Sequence, residues 1–363
     1  YLPKKTPMTT QTVSIPVQRI AKSRISEVNF NNLGFGSCIS DHMLVADYKD
    51  GAWGESQVMP YGELPMTPAI LALHYGQAIF EGMKAFKMVD GRLNIFRVQR
   101  HYQRMLKSLE RMCMPSMSEE MFVSGLHATV EADQQWVPEK EGYSLYIRPL
   151  VFASESKLGV KISDQYKFVI MTSPVGPYFS KPIRVKVEET YVRAAEGGTG
   201  FAKCAGNYGG AFYPTQLARE QGFDQVLWTD AKEHKYIDES GAMNVMFVMD
   251  GKLVTPKLTS ALLDGVTRDS ILTLAKDMGV PTEERRVSLD DLIEGFKKGT
   301  FTEAFGAGTA AVVSQIAVIN IHGKDYELPL AGPNSFQQRV KQKLSDVRRG
   351  IEPDVHGWNY IVK

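Results

Sequence analysis

The chain has 363 residues, which suggests about two domains, and its 43% hydrophobic and 23% charged residues are the proportions expected of a soluble globular protein. A net charge of +1 provides no global field for nucleic acid or an anionic membrane, and no apolar run approaches bilayer length. Cys38, Cys113 and Cys204, widely spaced and odd in number, form neither a metal pattern nor a disulfide framework. With no secretory segment at the start, the expectation is a cytoplasmic protein without a metal site. Residues 1–7, YLPKKTP ahead of Met8, read as a tag remnant or a natural extension and carry none of the fold reading.

FKMVDGRLNIF (86–96) predicts a hairpin turning at Asp90-Gly91. VQRHYQRMLKSLERMCM (98–114) predicts a helix, with Tyr102, Met105, Leu106, Leu109 and Met112 at helical spacing. SLYIRPLVFA (144–153) and YKFVIMTS (166–173) are dense in β-branched and aromatic residues and predict strands. PVGPYFSKP (174–182), rich in proline, predicts an interdomain loop between a small α/β domain at 8–173 and a large domain at 183–363. In the second domain IRVKVEETYVR and DQVLWTD predict strands, and VMFVMDGKLVTP a hairpin at Asp250-Gly251. DGVTRDSILTLAKDMG (264–279) and LDDLIEGFKKG (289–299) predict helices, the first ending at Gly279.

The stretch GGTGFAKCAGNYGG (197–210) surrounds Lys203 with glycines, residues that let backbone and ligand approach closely. One reading is a mobile loop with a solvated lysine. A phosphate cradle is a second, but the stretch lacks the Lys-Ser/Thr ending of a P-loop, and no G-x-G-x-x-G register fits. A third makes Lys203 a Schiff-base lysine in a desolvated site. Three other segments favour the third. IDESGAMN (237–244) places Glu239 beside a small-residue turn, DGVTR opens a helix whose N–H groups suit phosphate, and FGAGTAA (305–311) offers the Thr309 hydroxyl. Lysine, acid, helix N-terminus and glycine turn together form the set that pyridoxal phosphate (PLP) requires.

With these residues in place, the sequence resembles the branched-chain amino-acid aminotransferases of the fold-type IV PLP group. LHYGQAIFEGMKAF (73–86), SLYIRP (144–149), LGV (158–160), VGPYF (175–179), the Lys203 stretch, ESGAMN, DGVTRDS and FGAGTAA occur in the family's order across nearly the whole chain. The resemblance implies a two-domain, mixed α/β (α+β) fold-type IV enzyme. It implies amino transfer between L-leucine, isoleucine or valine and 2-oxoglutarate in a ping-pong reaction, and a homodimer with shared active sites.

Residue by residue, it implies that Lys203 binds PLP covalently and later carries the proton between substrate and cofactor. Glu239 pairs with the pyridine nitrogen, and Tyr208 lies beside the cofactor's phenolic oxygen. Val266, Thr267 and Thr309 hold the phosphate. Arg104 matches the family's phosphate arginine, although its helix also carries Arg100, Lys107 and Arg111, so a solvated charge remains the alternative. The α-carboxylate goes to Thr309, Ala310 and Tyr75, and the side chain to Phe35, Phe80, Tyr146, Tyr208, Leu158 and Val160. Tyr75, Leu158 and Val160 come from the neighbouring subunit. Arg148, on the same side of its strand as Tyr146, holds the distal carboxylate of glutamate or else makes a structural salt bridge. Lys84, the rival lysine, reads as a strand lysine facing water.

Two departures from the pattern stand out. Ala242 replaces a hydroxyl residue found in many relatives, which widens the pocket and removes one hydrogen bond. AAVVSQ stands where some animal members carry a C-x-x-C pair, which excludes thiol switching there. The competing readings are a D-amino-acid aminotransferase or aminodeoxychorismate lyase of the same fold group, a non-catalytic PLP carrier, and, weaker still, a nucleotide-binding dehydrogenase.

Overall fold

In the computed structural model, which describes residues 12–179 and 181–362, the predicted strands form two separate nine-stranded sheets. The remnant reading of residues 1–7 lies outside the described residues. The chain divides between Tyr178 and Phe179 into two compact units, and Ser345–Lys363 belongs to the first. This corrects the assignment of all of 183–363 to the second domain: the C-terminal strand Asn359–Ile361 pairs antiparallel with Leu93–Phe96. With that segment the first unit is also the longer one in chain length, not the smaller. The strand Tyr166–Val175 includes Pro174, so the loop expected from 174 starts later.

The first unit's sheet is antiparallel, in the order Asn359–Ile361, Leu93–Phe96, Met83–Lys87, Ser144–Ala153, Tyr166–Val175, His42–Lys49, Ala52–Trp53. Gln57–Pro60 adds to His42–Lys49, and Ala78–Phe80 to Ser144–Ala153. Alternation along these strands separates two faces. Leu44, Phe168 and Ile170 are fully buried, and the helix Glu119–Ala132 packs on their strands. Closing that face excludes water from side chains each contributing roughly 1.5–3 kcal/mol. The opposite face carries Tyr146 and Arg148, with Lys84 opposite Tyr146 in register. The hairpin at Asp90-Gly91 and the helix, observed as Val98–Arg111, form as predicted.

In the second unit the order is Ile237–Ser240, Gln225–Thr229, Ile183–Val187, Val312–Ile321, Phe301–Gly308, Met243–Met249, Lys252–Pro256, Thr282–Arg285. Lys324–Glu327 adds to Val312–Ile321. Ile237–Ser240 also pairs with Met243–Met249, which closes a ring of strands around Val185, Leu227, Val245, Phe247 and Ile319. The predicted helices appear as Val266–Asp277 and Leu289–Lys298, and the Asp250-Gly251 hairpin is present. Among the described residues no helix is long and apolar enough to cross a membrane.

Candidate active site

Lys203 follows a backbone crossing that only glycine permits. A Cβ at Gly200 would lie 2.3 Å from the Ala261 carbonyl oxygen, and Phe201 N–H donates to the Ser260 carbonyl at 3.1 Å. The glycine at 200 therefore lets two stretches of chain touch, in addition to any ligand approach. The short helix Gly206–Gly209 brings Tyr208 round to Lys203, whose Nζ donates to the phenolic oxygen at 2.9 Å. Asn207 locks the turn by donating to the carbonyls of Thr199 and Ala202, both at 2.8 Å.

Glu239 is 2% exposed, and its strand position points the carboxylate into a ring of donors. Leu263 N–H donates to Oε1 at 2.7 Å, Asn244 Nδ2 donates to the same oxygen at 3.2 Å, and Arg193 Nε lies 3.2 Å from Oε2. Arg193 also donates to the Ala261 carbonyl, so one guanidinium ties Glu239 to the crossing that positions Lys203. Sequence reading missed Arg193 and Asn244. Asn244 ends the ESGAMN motif, but Arg193 has no local signature: its partner is brought to it by the closed sheet. Beside Glu239, burial and then the Glu239 charge push Asp238 up to about 7.

The helix Val266–Asp277 starts from Gly265 with no side-chain cap, and Val266 and Thr267 are buried. The first N–H groups of a helix have no intrahelical acceptor, and they carry the positive end of its dipole. Asn244 stands against this N-terminus and pairs in register with Ala307, two residues before the Thr309–Ala310 turn. That turn ends at Val312, a β-branched residue held at φ 58°, where strain is stored. Ala242, in the turn before Met243–Met249, is exposed.

The first unit gathers a second group. Arg148 Nη2 donates to Tyr146 Oη at 3.0 Å, and its guanidinium lies 4.5 Å from the Phe80 ring centroid and 5.2 Å from that of Tyr146. Phe35 meets Tyr146 edge-on at 4.8 Å and Tyr178 at 5.1 Å; Tyr178 was not among the expected site residues, although its motif was. Gly82 makes room for this cluster, since a Cβ there would fall 2.0 Å from Tyr146 Oη. Among the described residues no carboxylate pairs with Arg148. Tyr75 donates to the Leu158 carbonyl, and Tyr75, Leu158 and Val160 are 39%, 70% and 83% exposed.

Two expectations about charge need correcting. Arg104 is not a solvated helix charge: at 4% exposure its Nε and Nη2 donate to Glu81 at 2.7 and 2.8 Å, with His101 Nδ1 2.9 Å from the same carboxylate. Burial alone would raise the Glu81 pKa, but the Arg104 guanidinium outweighs it and holds Glu81 well below the usual carboxylate range. Lys84 does not face water. It is 6% exposed, and burial together with the Arg348 charge lowers its pKa to about 7. No cluster of His, Cys, Asp or Glu among the described residues can hold a metal ion.

An anchored amine beside a phenol, a buried carboxylate and an uncapped helix N-terminus are groups suited to a phosphorylated pyridine aldehyde. Residues 78–319 match the family Amino-transferase class IV, and the chain belongs to that family. Within it, the chain is similar to the "Probable branched-chain-amino-acid aminotransferase" of Staphylococcus aureus (strain N315), 44% identical over 343 residues, covering 92% of this chain and 94% of that protein. It is 43% identical over 337 residues to branched-chain-amino-acid transaminase 1 of Bacillus subtilis (strain 168), covering 92% and 95%. Among solved structures, the branched-chain aminotransferase of Thermoproteus uzoniensis with norvaline aligns at a TM-score of 0.73 and 25% identity, covering 89% of this chain and all of that one. The fold is thus fold-type IV, mixed α and β.

Proposed function

We infer that the chain is a PLP-dependent branched-chain amino-acid aminotransferase, exchanging the amino group between L-leucine, isoleucine or valine and 2-oxoglutarate. The observation that carries this is the arrangement of Lys203, Tyr208 and the Arg193-held Glu239 in a member of the class IV family.

PLP, when bound, supplies an electron-withdrawing ring that stabilises negative charge at the substrate α-carbon. Lys203 Nζ anchors that cofactor and, once released, moves the proton at the substrate α-carbon as general base and acid. Tyr208, already hydrogen-bonded to the amine, orients it. Glu239, fixed by two hydrogen-bond donors and the Arg193 ion pair, would hold a proton on the pyridine nitrogen. The N–H groups of Val266 and Thr267, with the Thr309 hydroxyl and Arg104, hold the phosphate. Thr309, Ala310 and Tyr75 take the α-carboxylate, and the aromatic group of Phe35, Phe80 and Tyr146 takes the branched side chain. Ala242 leaves the substrate side chain more room than a hydroxyl residue would.

Accepting both leucine and glutamate is difficult for one pocket, because an unmatched buried charge is costly. The Arg148 arrangement supports a solution. With apolar substrates its charge rests on the faces of Phe80 and Tyr146, and with a dicarboxylate it turns to the second carboxylate. The outward exposure of Leu158 and Val160 supports a homodimer in which they complete the partner's site. Lys203, Tyr208, Glu239, Val266, Thr267 and Thr309 belong to the second unit and Arg104, Phe35, Phe80, Tyr146 and Arg148 to the first, in a cytoplasmic protein.

The test is a visible spectrum of the protein incubated with PLP. The expected result is an absorption band that L-leucine bleaches and D-alanine leaves, together with glutamate formation from 2-oxoglutarate. Lys203→Ala should abolish the band. A band that answers only D-alanine would mean the D-amino-acid enzyme, and an unchanged band in Lys203→Ala would remove Lys203 from the reaction.

A further inference from the structure

Away from the residues assigned to the reaction, a crevice of about 560 Å³ opens in the first unit. Its walls are the turn after strand His42–Lys49, the segment that follows helix Val98–Arg111 and the start of strand Tyr166–Val175. Tyr48, Asp50, Cys113, Ser163, Asp164 and Tyr166 line it, and the volume lies within the range of small-molecule sites.

The walls are fixed. Gln77 Nε2 donates to the Met112 carbonyl at 2.9 Å and to the Cys113 carbonyl at 3.5 Å, while its Oε1 accepts from Ser163 N–H at 3.2 Å. One buried amide therefore joins two sides of the crevice and has its own groups engaged. Tyr166 is 2% exposed, yet its hydroxyl has no hydrogen-bond partner among the described residues. A buried polar atom left unmatched is destabilising, and a ligand group in the crevice recovers that loss. Burial pushes the phenol up to about 12, the nearby Gln77 side chain opposing this only in part without reaching hydrogen-bond geometry, so it remains a neutral hydroxyl that donates or accepts.

The lining also selects a charge. Among the described residues that line the crevice none is cationic, and two are aspartates. Asp164 is ion-paired with Lys161, but Asp50 has no ion pair among the described residues. Two phenol rings, Tyr48 and Tyr166, stand edge-to-face at 6.0 Å and offer a π surface. Met114 and Pro115 add an apolar wall.

We propose that this crevice binds a small organic cation, a primary ammonium group on an apolar stem. An ammonium has donors only, and the Tyr166 oxygen, the Asp50 carboxylate and the Tyr48 ring face are acceptors for it. The stem lies along Met114 and Pro115. An anion of the same size is rejected by the aspartates.

Cys113, exposed and in the lining, reports occupancy without reference to catalysis. Its alkylation by iodoacetamide is followed by peptide mass spectrometry on the full chain, with 1,4-diaminobutane as probe. Saturating diamine slows Cys113 alkylation about fivefold or more and leaves Cys38 unchanged, while glutarate and sodium chloride at matched ionic strength have no effect. Asp50→Asn and Tyr166→Phe each raise the diamine concentration needed by about tenfold, as expected for one lost polar contact. Both variants are mild. Asn tolerates the positive φ of 52° at position 50, and Phe removes a hydroxyl that has no partner. The proposal is overturned if diamine leaves Cys113 unprotected, if sodium chloride protects equally, or if both variants are protected like the parent.

Discussion

Arg148 holds a full positive charge against two aromatic rings, with its Nε buried and without a hydrogen-bond partner. Such a guanidinium is stable enough to remain and incomplete enough to prefer a carboxylate. Replacing it tests the two half-reactions separately. Arg148→Met keeps the stem packed on Phe80 but removes the charge. The half-reaction with L-leucine should change by no more than a few-fold, whereas kcat/KM for 2-oxoglutarate should fall by roughly 10–100-fold, the value of a charge-assisted hydrogen bond. Single-turnover measurements of each half-reaction read this directly. Equal losses in both would assign Arg148 to the shape of the pocket alone.

Elements form where local signals agree with the tertiary arrangement. The helix Leu289–Lys298 has Ser288 accepting from Asp291 N–H at 3.0 Å and Asp291 accepting from Ser288 N–H at 2.9 Å, a reciprocal cap, and it ends at Gly299 in the left-handed region. Ser288→Ala should therefore cost about 1 kcal/mol, seen as a lower urea midpoint with an unchanged slope. A wild-type midpoint in the variant would mean that packing of Leu289 and Leu292 alone defines the helix. Signals of this kind are why this helix and the Asp-Gly hairpins were readable from the sequence. The same holds for Lys203, whose neighbours in sequence include its partner Tyr208. What could not be read depends on residues distant along the chain. Arg193 meets Glu239 only because the sheet closes, Arg104 meets Glu81 in the break between strands Ala78–Phe80 and Met83–Lys87, and Lys84 is buried beside Arg348 from the returning C-terminal segment. Charge patterns along a helix or strand place such groups in water unless the partner is known.

Across the molecule, a partly buried carboxyl and a buried amine shift in opposite senses, one in each unit. Asp238 binds its proton more tightly in the folded state, about 7 against an ordinary 3.8. The stability it contributes is fully present below 3.8 and is lost as pH rises through 7. Lys84 binds its proton less tightly, about 7 against 10.5, so folding gains from it as pH rises from 7 toward 10.5. The two windows meet near neutrality, so from these groups stability should fall as pH rises toward 7 and recover as pH rises further. Asp238→Asn isolates one of them, because asparagine resembles the neutral form of the carboxyl at every pH. The sites lie in different units, so their effects should add. Relative to the parent, the variant should gain about 1–2 kcal/mol between pH 5.5 and pH 8.5, a discounted figure because Asp238 is only partly buried. Urea unfolding at the two pH values measures it. If the difference between variant and parent is the same at both, Asp238 ionises at its ordinary pKa, and Glu239 exerts no repulsion on it across the shared strand.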